Sequence, residues 1–264
     1  RTGMPWYRFE PACAIRLETL KENKLWISNP NTFNDPFDFN LEINKYFSRT
    51  GFDKENIKSA ALQIFEDYEE KNAHWLYNKN IILAILNWAK GVECRGIELP
   101  RLVTEHIKSF GVQCFSKDWN LALSWAHYSS QHKGFCIEYD IRSMDFALVN
   151  NQNMSHFDVV YTNTLPELCL SEVIFTPHQA FKKLLATKTI DWAYEQEARI
   201  VHFHTQGGAV DMPDGLKMVS LTAGFKMESG QKEKLINVAN HLGIEAFGMT
   251  KSKYSQTFER ERIN

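Results

Sequence analysis

The densest ionisable chemistry in the chain lies in W-A-Y-E-Q-E-A-R, Trp192 to Arg199. On a β-strand, side chains at i, i+2 and i+4 share a face, so Glu195, Glu197 and Arg199 would project together. Ile200 and Val201 follow, and the alternation predicts a strand over residues 195–204. Two carboxylates and a guanidinium on one surface admit two readings. On a solvated edge strand they form cross-residue ion pairs that contribute little. On an internal strand with apolar flanks, a carboxylate held beside an arginine is the pattern of a functional site.

Three other constellations stand with it. In F-N-D-P-F-D, Phe33 to Asp38, Asn34 and Asp35 ahead of Pro36 suit an Asx-turn, which is either purely structural or lines a pocket. In G-V-Q-C-F-S, Gly111 to Ser116, the strand ends on Ser116, a position suited to touch a ligand. Cys114 with His127 of W-A-H-Y, Trp125 to Tyr128, offers a thiol and a base, but a cysteine inside a strand is more often a small core residue. His127 itself serves as a structural donor more often than as a catalyst. In W-Y-R-F, Trp6 to Phe9, alternation puts Tyr7 and Phe9 on one side and Trp6 and Arg8 on the other. Arg8 can grip a phosphate or carboxylate through two N–H groups, or pair with an acidic neighbour. No glycine-rich phosphate loop, H-E-x-x-H or G-x-S-x-G occurs. Five widely spaced cysteines without C-x-x-C spacing indicate neither a metal site nor a disulfide framework.

The elements that must position these residues can be traced by period. Short strands are predicted at Trp6 to Phe9 and Leu25 to Ser28, with a helix over residues 15–25 between them, and then a turn-rich loop, N-P-N-T-F-N-D-P-F-D. Helical spacing dominates residues 53–110 and reads as an insertion. V-Q-C-F-S predicts a strand, W-N-L-A-L-S-W-A a short helix, and G-F-C-I-E-Y-D a strand with Phe135, Ile137 and Tyr139 on one face. A strand at Val159 to Thr162 and a helix from Pro177 to Thr187 follow, the helix with Thr176 as N-cap. After the 195–204 strand come a strand at Met218 to Leu221, a helix from Gln231 to Leu242 ended by Gly243, and a last strand from Ile244 to Met249. With 44% hydrophobic and 13% aromatic residues, the 264-residue chain can bury a sizeable core. Its longest apolar run, Ile81 to Leu86, is far short of the roughly 20 residues of a membrane span. No apolar leader is present, Arg1 to Gly3 ahead of Met4 read as an expression remnant, and the expected location is the cytoplasm. A net charge of −2 provides no global field for a polyanion, although it does not exclude a local basic patch.

Y-R-F, L-W-I-S-N-P-N-T-F-N-D-P-F-D, G-V-Q-C-F-S, W-A-H-Y-S-S-Q-H-K-G-F-C-I-E-Y-D and W-A-Y-E-Q-E-A-R, in that order, resemble the bacterial domain-of-unknown-function family twenty-nine seventy-one. The resemblance runs from Tyr7 to about Gly248. That family is remotely similar to the ADP-ribosyltransferase superfamily, in which an early strand carries His or Arg, a middle strand ends in Ser and a late strand carries Glu. The resemblance implies an α+β fold with a split, mixed or antiparallel sheet, flanking helices and the helical insertion, as one domain over residues 4–264. It implies NAD as substrate, no metal, and Glu197, Glu195 and Arg8 as catalytic residues. Tyr7, Arg8, Asn34, Asp35, Ser116, Trp125, His127 and Tyr128 would bind the nucleotide. The implied partners are a macromolecular acceptor, protein or nucleic acid, and an inhibitory antitoxin-type protein, in a toxin or phage-defence setting without a membrane. Arg8 stands where many relatives have His, and the S-T-S triplet is missing. A non-catalytic module that senses a nucleotide or partner through the same pocket is the alternative. A hydrolase using Glu195 and Glu197 as its carboxylate pair is a third reading, weakened by the lack of a metal or nucleophile signature.

Overall fold

The W-Y-R-F-E strand, Trp6–Glu10 (β1), alternates between two faces, and the sheet is organised around it. The computed structural model describes residues 5–39, 54–71, 79–89, 98–141, 154–166, 172, 175–203 and 205–264. After β1 come Ala14–Lys21 (α1), Lys24–Ile27 (β2) and the helices Lys54–Lys71 (α2), Lys79–Ala89 (α3) and Glu98–Lys108 (α4). Gly111–Ser116 (β3), Ala122–Tyr128 (α5), Phe135–Ile141 (β4), Met154–Asp158 (β5) and Val160–Tyr161 (β6) follow. The second half holds Pro177–Leu185 (α6), Thr187–Lys188 (β7), Glu197–His202 (β8), Gly208–Asp211 (β9) and Leu216–Ala223 (β10). Ser229–Leu242 (α7), Glu245–Lys251 (β11) and Phe258–Arg262 (β12) complete it. Among the described residues the main sheet has eight strands in the order β12-β11-β10-β4-β1-β3-β8-β5. Its neighbours are antiparallel except β10 and β11, so the fold is α+β with a mixed, mostly antiparallel sheet. No described helix is long and apolar enough to cross a membrane.

Alternation assigns the two faces. Trp6, Phe115, Phe135, Ile137, Tyr139 and Leu221 pack under Leu17 and Leu20 of α1 and Leu235 and Ala239 of α7. Phe135, Ile137 and Tyr139 therefore share a face, as their spacing predicts. The other face carries two separate clusters. Val112, Phe157 and Val201 lie with residues of α2, α3, α4 and α6. Tyr7, Phe9, Cys136 and Met249 lie against Trp125 of α5. Each large side chain so buried contributes about 1.5–3 kcal/mol.

Between these clusters the sheet opens. β1 is paired with β4 along Trp6 to Glu10, and β3 with β8 along Gly111 to Ser116. β1 meets β3 where Tyr7 stands opposite Ser116. Diverging strands leave backbone carbonyls without ladder partners, and a buried carbonyl needs a donor. The Arg8 guanidinium supplies one, donating to the Cys114 carbonyl at 3.1 Å and to the Ser28 hydroxyl at 3.3 Å.

Several boundaries differ from the sequence expectation, for local reasons. The first helix stops at Lys21 rather than residue 25, because Asn23 adopts a left-handed conformation (φ 56°) and turns the chain into β2, where Leu25 is fully buried. The 177–187 helix stops at Leu185, and Thr187 and Lys188 form a short strand beside β6. Thr176 is the N-cap by position, but its hydroxyl donates to the Glu172 carbonyl instead of capping. The chain does not end its strands at Met249. F-E-R-E-R forms β12, an edge strand whose charges mask its periodicity while guarding the edge against other chains.

Two consequences are measurable. A Cβ at Gly134, which links α5 to β4, would lie 2.1 Å from the Glu10 carbonyl oxygen and 3.0 Å from that of Ser129. Both are backbone atoms, so Gly134→Ala is expected to lower unfolding free energy in urea by about 1–3 kcal/mol. At the end of β8, burial pushes the His202 imidazole down to about 4, and its Nε2 has no hydrogen-bond partner. A histidine with a lowered folded pKa takes up protons more readily when unfolded. Stability should therefore fall as pH drops from about 6.5 to 4, by roughly 1.4 kcal/mol per pH unit. Urea melts across that range should show the slope, and His202→Phe should flatten it.

Candidate functional site

The E-Q-E-A-R segment is split between two elements. Ile190–Glu195 forms a 3-10 helix, and Gln196 closes it in a left-handed conformation (φ 46°) before β8 begins at Glu197. Glu197 and Arg199 share the face of Val201, as alternation requires, but Glu195 is not on that strand. The expectation of three residues on one pleat is corrected here. The sharp turn at Gln196 nonetheless brings the Glu195 carboxylate back toward Glu197, and one lysine joins them. Lys188 Nζ lies 2.6 Å from Glu195 Oε2 and 2.9 Å from Glu197 Oε2.

Around this bridge the ion pairs continue inward. Arg199, 0% exposed, donates from Nε to Glu197 Oε1 at 2.6 Å and grips Asp38 through both terminal nitrogens at 2.9 and 2.7 Å. It also donates to the Leu185 carbonyl at 2.9 Å. The Tyr128 hydroxyl donates to Glu195 Oε1 at 2.7 Å, and the Glu197 backbone N–H donates to the Tyr161 hydroxyl at 2.7 Å. Three carboxylates, Asp38, Glu195 and Glu197, thus share two cations, Lys188 and Arg199, which leaves one negative charge when all are ionised.

Burial and charge set the protonation of each member. Burial would raise the Glu197 carboxyl, but Arg199 and Lys188 outweigh it and hold its pKa well below the carboxylate range. Burial raises Glu195, only partly opposed by Lys188, and Glu197 adds to the rise. Asp38 is raised for the same first reason, against the pull of Arg199. Burial disfavours the charge on Lys188, yet Glu197 and Glu195 keep it charged and its pKa raised. The two glutamates are thereby separated in character: Glu197 is held ionised by its two cations, and Glu195 holds a proton more readily than an ordinary glutamate.

These groups border a cavity of about 300 Å³ over the opening between β1 and β3. Tyr7, Arg8, Asn34, Ser116, His127, Tyr128, Glu195 and Glu197 all line it, so most residues singled out from sequence converge. Their roles differ from expectation in places. The Arg8 side chain lies on the opposite face from Glu197 and reaches the cavity through the opening, already bonded to Glu10 and flanked by Arg16 on the same carboxylate. The Ser116 hydroxyl donates to the carbonyls of Glu195 and Asp118, at 2.8 and 3.1 Å, and thus holds the 3-10 helix to β3. Trp125 does not line the cavity. It is fully buried, with Nε1 on the Trp119 carbonyl at 2.7 Å and Phe9 edge-on at 5.2 Å, because α5 turns it toward the core. Asp35 does not line it either. Its carboxylate accepts from the Phe37 N–H and the Thr189 hydroxyl, the structural Asx-turn alternative. Cys114 lines the cavity as a half-buried thiol, pushed far up first by desolvation and unsuited to nucleophilic work. Cys94 and Cys169 lie outside the described residues. Among the described residues no group of His, Cys, Asp and Glu could hold a metal ion.

Lys188 and Asp38 escaped the sequence reading. Lys188 fell at the end of a predicted helix, and a lone lysine in T-K-T carries no pattern. Asp38 closes the F-N-D-P-F-D loop, two residues past the proline that makes Asn34 and Asp35 the turn-forming pair. The signal available was the arithmetic of charge: two apolar-flanked glutamates and a single arginine call for another cation.

Residues 124–200 match the family described as a protein of unknown function, DUF2971. Over that stretch the chain is similar to the DUF2971 family. The matched segment contains His127, Tyr128, Lys188, Glu195, Glu197 and Arg199, so it supplies two of the three carboxylates, both cations and the Tyr128 hydroxyl bonded to Glu195. Arg8, Asp38 and Ser116 lie outside it. No curated protein and no solved structure is significantly similar to the chain.

Proposed function

We propose that the chain is an ADP-ribosyltransferase-like enzyme that takes NAD as substrate, cleaves the nicotinamide–ribose bond and passes ADP-ribose to a macromolecule. The observation that carries this reading is that Arg8, Ser116 and Glu197, far apart in sequence, border one cavity at a break between strands. Cleavage builds positive charge on the ribose, and a carboxylate fixed beforehand by Arg199 and Lys188 stabilises that charge without reorganising. Glu195, with its raised pKa and its link to Tyr128, suits the base that takes the acceptor's proton. Arg8 and Ser116 shape the cavity rather than offering free donors. In a bacterial cell such an activity acts as a toxin or phage-defence effector, restrained by an antitoxin-type protein.

Incubation with labelled NAD and cell extract tests the reading. Nicotinamide release with label transfer to macromolecules is expected, and both should be lost in Glu197→Gln. Equal release and transfer by the two proteins would overturn it.

One observation favours a non-catalytic sensor instead: every oxygen of Glu195 and Glu197 already has a protein partner. Calorimetry with NAD and ADP-ribose separates the two, since binding without turnover supports the sensor.

A further inference from the structure

Where the loop after α5 meets the ends of β10, β11 and β12, aromatic rings and cations gather in a shelf. Phe225 is 40% exposed and its ring is 6.4 Å from that of Phe258, which is in turn 5.6 Å from His132. Asn120 fastens the neighbouring Trp119 loop to this row, donating to the Phe258 carbonyl and accepting from its N–H. Lys251 Nζ stands 5.0 Å over the Phe225 ring, and the Arg260 guanidinium stands 5.1 Å over Trp119 and 4.7 Å over Phe247. Lys133, Lys226 and Lys253 are exposed around the rim, with the 95% exposed Tyr254 beside the last. Arg260 is held by Glu138, whereas these three lysines and Lys251 have no ion-pair partner among the described residues. The acidic residues of β12 point elsewhere. Glu259 and Glu261 are in register with Thr250 and Gly248, and so project from the opposite face to Phe258 and Arg260.

We propose that this shelf binds single-stranded nucleic acid. The two exposed rings, Phe225 and Tyr254, can stack on unpaired bases, and unpaired lysines set around them meet the phosphates between bases. A duplex would present phosphates but no base faces, and an acidic peptide would leave the row of rings unused. The shelf and the cavity share a wall: Trp119, Tyr128 and Phe258 all pack on the cluster containing Trp125. Tyr128 of that cluster also lines the cavity and donates to Glu195, so the shelf adjoins the site. This deepens the transferase reading by naming its acceptor class and rests on that reading for the chemistry alone, because the binding test contains no NAD.

The test is fluorescence anisotropy with labelled thymidine and uridine strands of roughly 12 nucleotides, against a duplex of similar length. Single strands are expected to bind more tightly than the duplex. The slope of log K against log salt should be about −2 to −3, from three or four phosphate contacts at about 0.7 each. Phe225→Ala should weaken binding by roughly 5- to 100-fold. The joint change Lys226→Gln and Lys251→Gln should flatten the salt slope by about 1. These positions are exposed, so unchanged thermal melts confirm intact folding. No binding at low salt, duplex bound as tightly as single strands with Phe225→Ala without effect, or tighter binding to acidic peptide or anionic vesicles would each overturn the proposal.

Discussion

Arg199→Met is expected to lose about 3–5 kcal/mol of unfolding free energy, read as a lower urea midpoint, because it removes one partner of a buried ion-pair network and leaves the others in place. This guanidinium donates five hydrogen bonds, two to Asp38, two to Glu197 and one to the Leu185 carbonyl. Glu197 keeps Lys188 when Arg199 is gone, but Asp38 loses its fork and stays buried. Arg199→Lys should recover only part of the loss, since an ammonium cannot bridge two carboxylates in a planar fork. Adding Asp38→Asn to Arg199→Met should cost less than the sum of the single changes, because it removes the stranded charge. The sign of the pH dependence is a further check. In the variant the folded pKa of Asp38 rises further above its unfolded value, so the penalty grows as pH rises through the carboxylate range. It is smallest in acid and grows until Asp38 is ionised in the folded state.

What could be traced in the sequence follows from how local each determinant is. β1, β3 and β4 were legible because alternation alone assigns their faces, and the 14-residue helix α7 because Gly243 ends it with a left-handed turn. The boundaries at Asn23 and Gln196 were not, since a positive φ at a residue other than glycine is selected by the tertiary structure around it. The α+β class could be argued from element order. The opening between β1 and β3 could not, because it depends on Arg8 satisfying a carbonyl 106 residues away.

The site divides the same way. Glu197 and Arg199 follow from a two-residue period, whereas Lys188 enters through a two-residue strand that no window detects, and Asp38 through a loop closed by Asp35 and Thr189. Glu195 joins them not along one continuous pleat, as its spacing implies, but through a 3-10 turn. A buried, charged neighbourhood is a collective property. Its members are set by mutual neutralisation rather than by spacing along the chain.

That neutralisation governs the catalytic prediction. Glu197→Gln preserves shape but removes the one carboxylate held ionised across the whole working range, and should lower nicotinamide release about 10²–10³-fold, the usual cost of deleting a group aimed at developing charge. Label transfer should fall with it, since both pass through the same bond cleavage. Glu195→Gln should behave differently. If Glu195 takes the acceptor's proton, transfer falls more than nicotinamide release does, because water can still capture the ribosyl cation. The base must be deprotonated to act, so transfer in the unsubstituted protein should rise with pH along a limb displaced upward from that of an ordinary glutamate. Glu195→Gln should erase that limb while leaving the release profile in place. Urea melts of both variants guard against a trivial loss of fold. Equal losses of release and transfer in Glu195→Gln, with the pH limb unchanged, would remove Glu195 from the role of base and leave it as a holder of Lys188.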